Sequence, residues 1–424
     1  MQLVAYGAQD IYLTGQPQIT FFKSVYRRHT NFAIESIQQT VNGSINAGSR
    51  ISVTISRNGD LLKNLWCQYN PRKLLTSGTT LVASDLSHAL FQTLELEIGG
   101  QLIDRQYGLW LTIWRDLTEV NSTGSQGMLG PGGAEPGINM AGEVPSTRYQ
   151  RMSYTHQGDS TGAVDFTEAP TEAYIPMRFW FCRNPGLAVP LIALQYHEVK
   201  FNVQFALASS YFVSGVSPVG NIGTADFAVY ADYVYLDTTE RRQFAQNAHE
   251  YLIDQLQYQS ESGGGTNNTI RLNFNHPVKE LVWCGTPTAP VAGSSAEDAL
   301  SGGATPAPIT DVTGSHSNML TKIILNGTDR FTARNTKYFT RNQVWDCHTG
   351  FGATAVADSI ALYSFALRPE EHQPSGTCNF SRIDTAQLWF SGSNGETVKP
   401  LTIFAVNYNV LRIMSGMGGL AYSN

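Results

Sequence analysis

The sequence has little charge for its size. Only 15% of its 424 residues are Asp, Glu, Lys or Arg, whereas a typical soluble domain has about 25%. Hydrophobic residues make up 42% of the chain and aromatic residues 11%, and the centres of protein interfaces are poor in charge and rich in Tyr, Phe and Trp. The composition therefore indicates a protein that either aggregates or covers much of its surface with partners. The formal net charge of −6 argues against direct nucleic-acid binding, because neutralising phosphates requires a basic footprint.

Paired cysteines and long apolar runs are also missing. The five cysteines are widely spaced and include no C-x-x-C pair: Cys67, Cys182, Cys284, Cys347 and Cys378. This pattern predicts free buried thiols and folding in a reducing compartment. We find no secretory signal at the N-terminus and no run that approaches 18 apolar residues. We therefore expect a soluble protein whose contact with membranes is at most peripheral.

Sequence motifs for catalysis are absent as well. The chain contains no G-x-S-x-G, H-E-x-x-H or P-loop motif. Neighbouring residues on a strand point to opposite faces, so Cys347 and His348 cannot form a thiol dyad on a strand. For the same reason, the three histidines that adjoin a carboxylate cannot share a metal ion with it: His197, His249 and His372. We predict that the protein is not an enzyme and has no resident metal or cofactor.

Two tight turns are the most informative feature present. Alternating apolar runs end in Gly99-Gly100 and in Asn326-Gly327, dipeptides that supply the positive φ angles of a two-residue β-hairpin. The turns lie 227 residues apart. A chain of 424 residues also exceeds the usual size of one core. We therefore predict two copies of one β domain.

Eight short strands are predicted in each half of the chain. In the first half they cover residues 32–41, 50–57, 61–69, 93–98, 101–104, 174–182, 198–207 and 227–236. In the second half they cover residues 251–259, 269–275, 278–283, 320–325, 330–333, 359–367, 386–390 and 401–411. Eight strands with turns between them are typical of a sandwich or a jelly roll.

Helical periodicity is confined to two segments, 84–90 and 107–120. The longer one carries Trp110, Ile113 and Trp114 at helical spacing, which favours core packing over a ligand cage. The glycine-rich segment 416–419 predicts a turn. Long loops rich in Gly, Pro, Ser and Thr are predicted at 121–145, 209–223 and 285–317, and polar residues 237–248 separate the two strand sets.

Five asparagines stand in the N-x-S/T context of N-linked glycosylation: Asn42, Asn121, Asn267, Asn326 and Asn379. We expect Asn121 and Asn267 to lie in exposed loops, where they are the more accessible acceptors. Asn326 lies in a predicted tight turn, and adopting a positive φ is sufficient to explain it. N-linked glycans are the one attached group that the sequence predicts.

A basic cluster precedes the first strand: Lys23, Arg27, Arg28 and His29. Such a cluster is either a solvated turn or a contact site for an acidic partner. The sequence alone does not choose between the two.

Several blocks of sequence resemble the major capsid protein of nucleocytoplasmic large DNA viruses, and most closely those of algal viruses. The blocks are 3–10 (LVAYGAQD), 12–15 (YLTG), 17–23 (PQITFFK), 26–32 (YRRHTNF), 190–199 (PLIALQYHEV), 374–384 (PSGTCNFSRID) and 407–422 (NYNVLRIMSGMGGLAY). They span both halves and both ends of the chain. The chain departs from the family in the loops at 121–145 and 285–317.

The resemblance implies an all-β fold of two tandem eight-stranded antiparallel jelly rolls, a double jelly roll, with a few short helices in loops. It divides the chain into an N-terminal base segment (1–30), a first jelly roll (31–237) and a second (238–424). Three chains would form a pseudo-hexagonal homotrimeric capsomer of an icosahedral shell, assembled in the host cytoplasm and present in the virion.

The resemblance also implies partners beyond neighbouring capsomers. The base segment of such proteins lies at the inner face of the shell, near minor capsid proteins and an internal membrane. This makes Lys23, Arg27, Arg28 and His29 candidates for an inner-face contact.

Three alternatives remain: a minor capsid paralogue, a β-sandwich carbohydrate-binding surface protein, and a hydrolase on a jelly-roll scaffold. A lectin requires an aromatic platform or a calcium cluster, and a hydrolase requires a paired base and nucleophile. The sequence shows neither.

Overall fold

The computed structural model describes residues 7–73, 79–81, 86–120, 148–155, 163–165, 171–207, 226–262, 267–285, 319–350, 360–391 and 400–422. In the first half the strands are β1 Phe32–Gln39, β2 Val41–Asn42, β3 Arg50–Thr54, β4 Leu61–Tyr69, β5 Thr79–Leu81, β6 Phe91–Ile98, β7 Gln101–Tyr107, β8 Ala163–Asp165, β9 Ala173–Pro176, β10 Val189–Pro190, β11 Val199–Phe205 and β12 Phe227–Leu236. In the second half they are β13 His249–Glu261, β14 Asn267–Arg271, β15 Pro277–Gly285, β16 Leu320–Leu325, β17 Thr328–Asp329, β18 Arg334–Asn335, β19 Ile360–Ser364, β20 Cys378–Asn379, β21 Ala386–Ser391, β22 Leu401–Met414 and β23 Met417–Leu420.

The helices are short. They are α1 Ile11–Thr14, α2 Leu86–Ala89, α3 Gly108–Thr118, α4 Arg148–Ser153, α5 Trp180–Arg183, α6 Thr238–Gln246 and α7 Gln343–Cys347. A π-helical turn, Tyr338–Asn342, leads directly into α7. The predicted helices at 84–90 and 107–120 are thus confirmed as α2 and α3, and α6 occupies the polar segment between the two strand sets.

Each half contains two large antiparallel sheets whose matching strands follow the same order, and the first half has a further two-stranded sheet, β5-β8. Sheet 1 runs β1-β12-β4-β10, with β9 also paired to β4, and sheet 2 runs β2-β3-β11-β6-β7. Sheet 3 runs β13-β22-β15-β19, and sheet 4 runs β14-β21-β16-β17. The two halves share one order of eight strands. In that order β1, β3, β4, β6, β7, β9 or β10, β11 and β12 match β13, β14, β15, β16, β17, β19, β21 and β22. This order is that of a jelly roll, so the double jelly roll is confirmed.

The two predicted hairpins occupy equivalent places in the two halves. Gly99 and Gly100, with φ of 60° and 81°, join β6 to β7, and Asn326 and Gly327, with φ of 51° and 74°, join β16 to β17. Both turns connect the last two strands in the order of their sheet, β6 and β7 in sheet 2 and β16 and β17 in sheet 4. The repeated sequence pattern therefore marks a repeated structural element.

An apolar core fills the space between the two sheets of each half. In the first half Leu65 and Phe201 come from opposite sheets and are fully buried. In the second half Trp283 and Leu388 take the corresponding role. Strand β3 shows how the sequence produces this arrangement, because Ile51 and Val53 alternate with polar residues and point inward.

Three predictions about secondary structure were wrong. The strand expected at 174–182 ends at Pro176, and α5 follows, since the aromatic residues at 179–181 are all buried and give no alternation. Residues 330–333 lie between two short strands, β17 and β18. The glycine-rich segment 416–419 is mostly strand β23, and its turn is confined to Ser415-Gly416, with φ of 55° and 80°. The three predicted long loops lie outside the described residues, apart from Gly285.

Candidate interaction surfaces

Helix α3 joins the two halves of the chain. It belongs to the first half and places Leu111 in the first core. Its other face, with Trp110, Ile113 and Trp114, is buried against Val282 and Phe404 on the outside of sheet 3. The tryptophan stripe is therefore core packing, as predicted, but the core it fills lies between the halves.

A buried charged group lies in the same joint. Asp254 on β13 binds the guanidinium of Arg183 through a 2.7 Å contact and the Lys279 ammonium through a 3.0 Å contact. Burial alone would raise the pKa of Asp254, but the two cations hold it below its usual range. The Arg183 guanidinium also lies 4.8 Å from the centre of the Trp114 ring. Charged side chains from both halves thus neutralise one another's charge in a buried site.

Asp104 makes a second polar contact across the joint. Its Oδ1 accepts a hydrogen bond of 3.2 Å from the backbone N–H of Leu256, and its Oδ2 accepts one of 3.1 Å from Gln106. Burial raises the pKa of Asp104 to about 6. Gln255 of the second half donates its side-chain amide to the carbonyl of Ile103.

The C-terminal hairpin β22–β23 makes the third contact. The N–H of Gly418 donates to Nδ1 of His197 at 3.2 Å, and the N–H of Tyr196 donates to the carbonyl of Gly416 at 3.0 Å. A Cβ on Gly418 would lie 2.7 Å from the Leu194 side chain. This glycine-rich strand therefore allows the last hairpin to approach the first half closely.

An N-terminal arm, residues 7–31, projects large apolar side chains into solvent. Phe22 is 97% exposed and Tyr12 91% exposed. Six more are at least 67% exposed: Ile11, Leu13, Ile19, Phe21, Val25 and Tyr26. Helix α1 buries no residue. A stretch of this kind marks a surface that another molecule covers.

The predicted basic cluster lies within this arm. Lys23, Arg27, Arg28 and His29 are all exposed. His29 holds Nδ1 at 2.7 Å from the Thr30 carbonyl, and its ring meets Phe32 edge-on with centroids 5.8 Å apart. The arm therefore combines positive charge with unburied aromatic rings.

The candidate glycan acceptors differ in their settings. Asn42 and Asn379 are exposed, and Asn379 also accepts a hydrogen bond of 3.1 Å from the N–H of Ser381. Asn326 is exposed, but its Oδ1 accepts backbone N–H groups at 3.0 and 3.2 Å, which holds the side chain against residues 384–385. Asn267 begins strand β14, so its placement in a loop was wrong. Asn121 lies outside the described residues.

The Cys347–His348 pair carries no nucleophile. Burial raises the pKa of the Cys347 thiol to about 11. Both ring nitrogens of His348 contact carboxylates at 2.9 Å, Nε2 that of Glu280 and Nδ1 that of Glu370. Burial would lower the pKa of His348, but these two carboxylates raise it to about 9. His348 is therefore a buried imidazolium and cannot act as a base near neutral pH.

The described segments contain no group of three His, Cys, Asp or Glu side chains that could hold a metal ion. None of the helices they include is long and apolar enough to cross a membrane.

The sequence reasoning missed an aromatic platform on the outside of sheet 1. The rings of Trp66 and Tyr230 stack with centroids 4.2 Å apart and an interplanar angle of 6°, and Tyr174 meets Trp66 edge-on at 5.6 Å. Trp66 also donates its indole N–H to Asp232 at 3.1 Å. The alternation of β4 and β12 does place these residues on the outer face. Their proximity depends on the pairing of Trp66 with Tyr230, which the sequence does not specify.

Comparison with known proteins assigns both halves to one kind of protein. A family described as the N-terminus of the major capsid protein matches residues 20–237. A second, described as the major capsid protein of large eukaryotic DNA viruses, matches residues 240–419.

Individual relatives agree over the full length. The major capsid protein of Pyramimonas orientalis virus is 45% identical over 444 residues, and that of Paramecium bursaria Chlorella virus 1 is 43% identical over 470 residues; each alignment covers 100% of this chain and 99% of the relative. The crystal structure of VP54 from the Chlorella virus has a TM-score of 0.74 at 36% identity, covering 96% of this chain and 100% of that one. Together with the double jelly roll, these matches show that the chain belongs to the family of major capsid proteins of large eukaryotic DNA viruses and is a structural component of the virion capsid.

Proposed function

We propose that three copies of this chain form a capsomer with a pseudo-hexagonal outline, and that these capsomers tile an icosahedral shell. The observation that carries this proposal is the strand-for-strand equivalence of two jelly rolls tied by a buried joint. Three such chains present six similar units, so one gene product can occupy a lattice position with six neighbours. The proposed units are a base segment (1–30) and jelly rolls at 31–237 and 238–424.

The trimer is tested by measuring mass in solution. We expect an interface well above the roughly 2,000 Å² at which obligate assemblies begin. Light scattering of the purified protein at micromolar concentration should therefore give three times the chain mass of 46.5 kDa. A stable monomer at that concentration would contradict the proposal.

The proposed role is structural, without catalysis and without a resident cofactor. Several observations support it: the sequence shows no catalytic motif, the Cys347 thiol is kept protonated, and both nitrogens of His348 are engaged by carboxylates. Low charge and exposed apolar residues suit a protein whose surface is covered on assembly. We propose no direct contact with nucleic acid.

We propose that the N-terminal arm contacts minor capsid proteins and, peripherally, the inner viral membrane. Its exposed aromatic residues and the cluster Lys23, Arg27, Arg28 and His29 suit an acidic partner. Reversing the charge with Arg27→Glu and Arg28→Glu should abolish particle formation while the trimer persists. Arg242→Glu, at an exposed position outside the arm, is the matched control. Normal particles from the double variant would contradict this assignment.

We further propose assembly in the host cytoplasm and N-linked glycans on the exposed acceptors. Asn42 and Asn379 are exposed acceptors in the part of the chain that the structure describes. Mass spectrometry of peptides from purified virions should find sugar on at least one of the five asparagines. Unmodified peptides for all five would contradict the glycan proposal.

A further inference from the structure

Sheets 1 and 3 are equivalent in topology, but their outer faces differ in how deeply they are buried. Strand β15 is buried on both faces beyond its first residue, because α3 covers the outside of sheet 3. Its counterpart β4 alternates from Leu65 onward between buried residues and half-exposed ones. Strands β22 and β12 differ in the same way. Among the described residues, the same face is thus buried in the second jelly roll and partly exposed in the first.

The partly exposed face carries the aromatic platform, Trp66, Tyr174 and Tyr230. All three side chains are partly exposed although two of them stack closely. Aromatic residues of this kind dominate the energetics of protein interfaces, because they bury a large area with little loss of rotamer entropy. The platform is the counterpart of the surface on sheet 3 that receives Trp110 and Trp114.

Helix α7 is the counterpart of α3. Helix α3 follows β7 and precedes β9, whereas α7 follows β17 and β18 and precedes β19, the strand matched to β9 or β10. Both helices thus lie in the same connection, after the repeated hairpin of their own half. In α7, Val344 is buried beside the residues of α3, whereas Trp345 is 82% exposed. The first half therefore supplies a tryptophan-bearing helix that covers a sheet, whereas the second half presents an exposed tryptophan that packs on no sheet in the part of the chain that the structure describes.

We propose that Trp345 of one copy packs against the aromatic platform of another copy. Within one chain, α3 packs on sheet 3; the proposed contact repeats this packing between two chains. The inference rests on the proposed trimer. Each chain offers one α7 and one platform, so the contact is heterologous and closes into a ring when the third chain meets the first. We assign a second copy of this chain as the partner because the equivalent face, the outside of sheet 3, is covered by α3, a tryptophan-bearing helix of this same chain.

Photo-cross-linking locates the contact directly. Replacing Trp345 with p-benzoylphenylalanine and irradiating the trimer should link two chains, with the cross-linked peptide containing residues 61–69, 173–176 or 227–236. The same photoreactive residue at Leu367, which is 81% exposed in the same half, is the control and should not label these strands. Cross-links from position 345 to other segments of an intact trimer would overturn the inference and leave the trimer standing.

Dissociation measurements supply a second readout. Trp345→Ala should raise the protein concentration for half-dissociation roughly 150-fold, because three contacts of about 2 kcal/mol each are lost per trimer and this concentration varies as the square root of the trimer's dissociation constant. Leu367→Ala should leave it unchanged. Unchanged dissociation of the Trp345→Ala trimer would overturn the inference, and a monomeric unsubstituted chain would overturn the trimer as well. If Trp66→Ala left the trimer intact but abolished retention on a polysaccharide resin, the platform would be a sugar site and the inference would be wrong.

Discussion

Gly99 lies directly against the ring of His197. A Cβ built on Gly99 would stand 2.3 Å from Nδ1 of that histidine, which also accepts the N–H of Gly418 from the second half. The first of the two equivalent hairpins thus touches the joint between the jelly rolls. Glycine is required at position 99 for two reasons: the backbone φ is positive, and a side chain would occupy the space of the His197 ring.

Substitution of the two turn glycines should separate these requirements. Gly100 also has a positive φ, of 81°, but a Cβ there would meet nothing within 4 Å. Gly100→Ala should therefore cost about 1–2 kcal/mol from the left-handed backbone alone. Gly99→Ala should cost at least about 3 kcal/mol, because the methyl group must also displace His197. Equal losses in urea unfolding would contradict the role of this close approach.

Removing the charge of Asp254 should be among the most damaging substitutions in the joint. Asp254→Asn leaves the ammonium of Lys279, which is fully buried, and the guanidinium of Arg183 without a counter-charge. We expect a loss of about 3–5 kcal/mol in the free energy of unfolding. Glu250→Gln removes an exposed pair with Arg412 and should cost under about 1 kcal/mol. Similar losses of unfolding free energy in both variants would show that burial does not determine how much an ion pair contributes to stability.

The buried imidazolium of His348 should make stability depend on pH in the alkaline range. Its pKa is about 9 in the fold, above the value of about 6.5 for an unfolded histidine. The stabilisation is therefore complete below pH 6.5 and is lost as the pH rises through 9. Between pH 6 and 10 the free energy of unfolding should fall by roughly 3 kcal/mol more than in His348→Gln. Parallel profiles for the two proteins would exclude a charged His348.

Trp114→Ala should uncouple the two jelly rolls. The substitution opens a cavity between α3 and sheet 3 and removes the ring beneath Arg183. A loss of about 3–5 kcal/mol is typical of a buried tryptophan. Calorimetry should then show two separate transitions, whereas Trp389→Ala, at a half-exposed position on sheet 4, should retain the coupled one. A single transition in both variants would contradict the role of α3 as the link between the halves.

Much of the fold could be predicted from local patterns. Strands β4, β12 and β16 have the predicted bounds, because alternation with clear turns at both ends specifies a strand. The two hairpins were found because a two-residue turn requires particular residues at particular positions. The family blocks then supplied the topology, which alternation alone left open between a sandwich and a jelly roll.

The surfaces were harder to predict, because they depend on contacts between distant parts of the chain. The helical spacing of Trp110 and Trp114 indicated burial but not the partner sheet. Nothing in the sequence placed Arg183 beside Asp254, which are 71 residues apart. The exposure of Trp345 is equally invisible, since its neighbour Val344 is buried in the same helix.

We propose that one chain supplies two equivalent jelly rolls to a ring of six. Electron cryomicroscopy of the purified oligomer should show that ring. We predict a three-fold symmetric particle with six jelly-roll densities, in which contacts within a chain alternate with similar contacts between chains. A particle with a different number of jelly rolls, or one whose chains meet through unrelated surfaces, would contradict it.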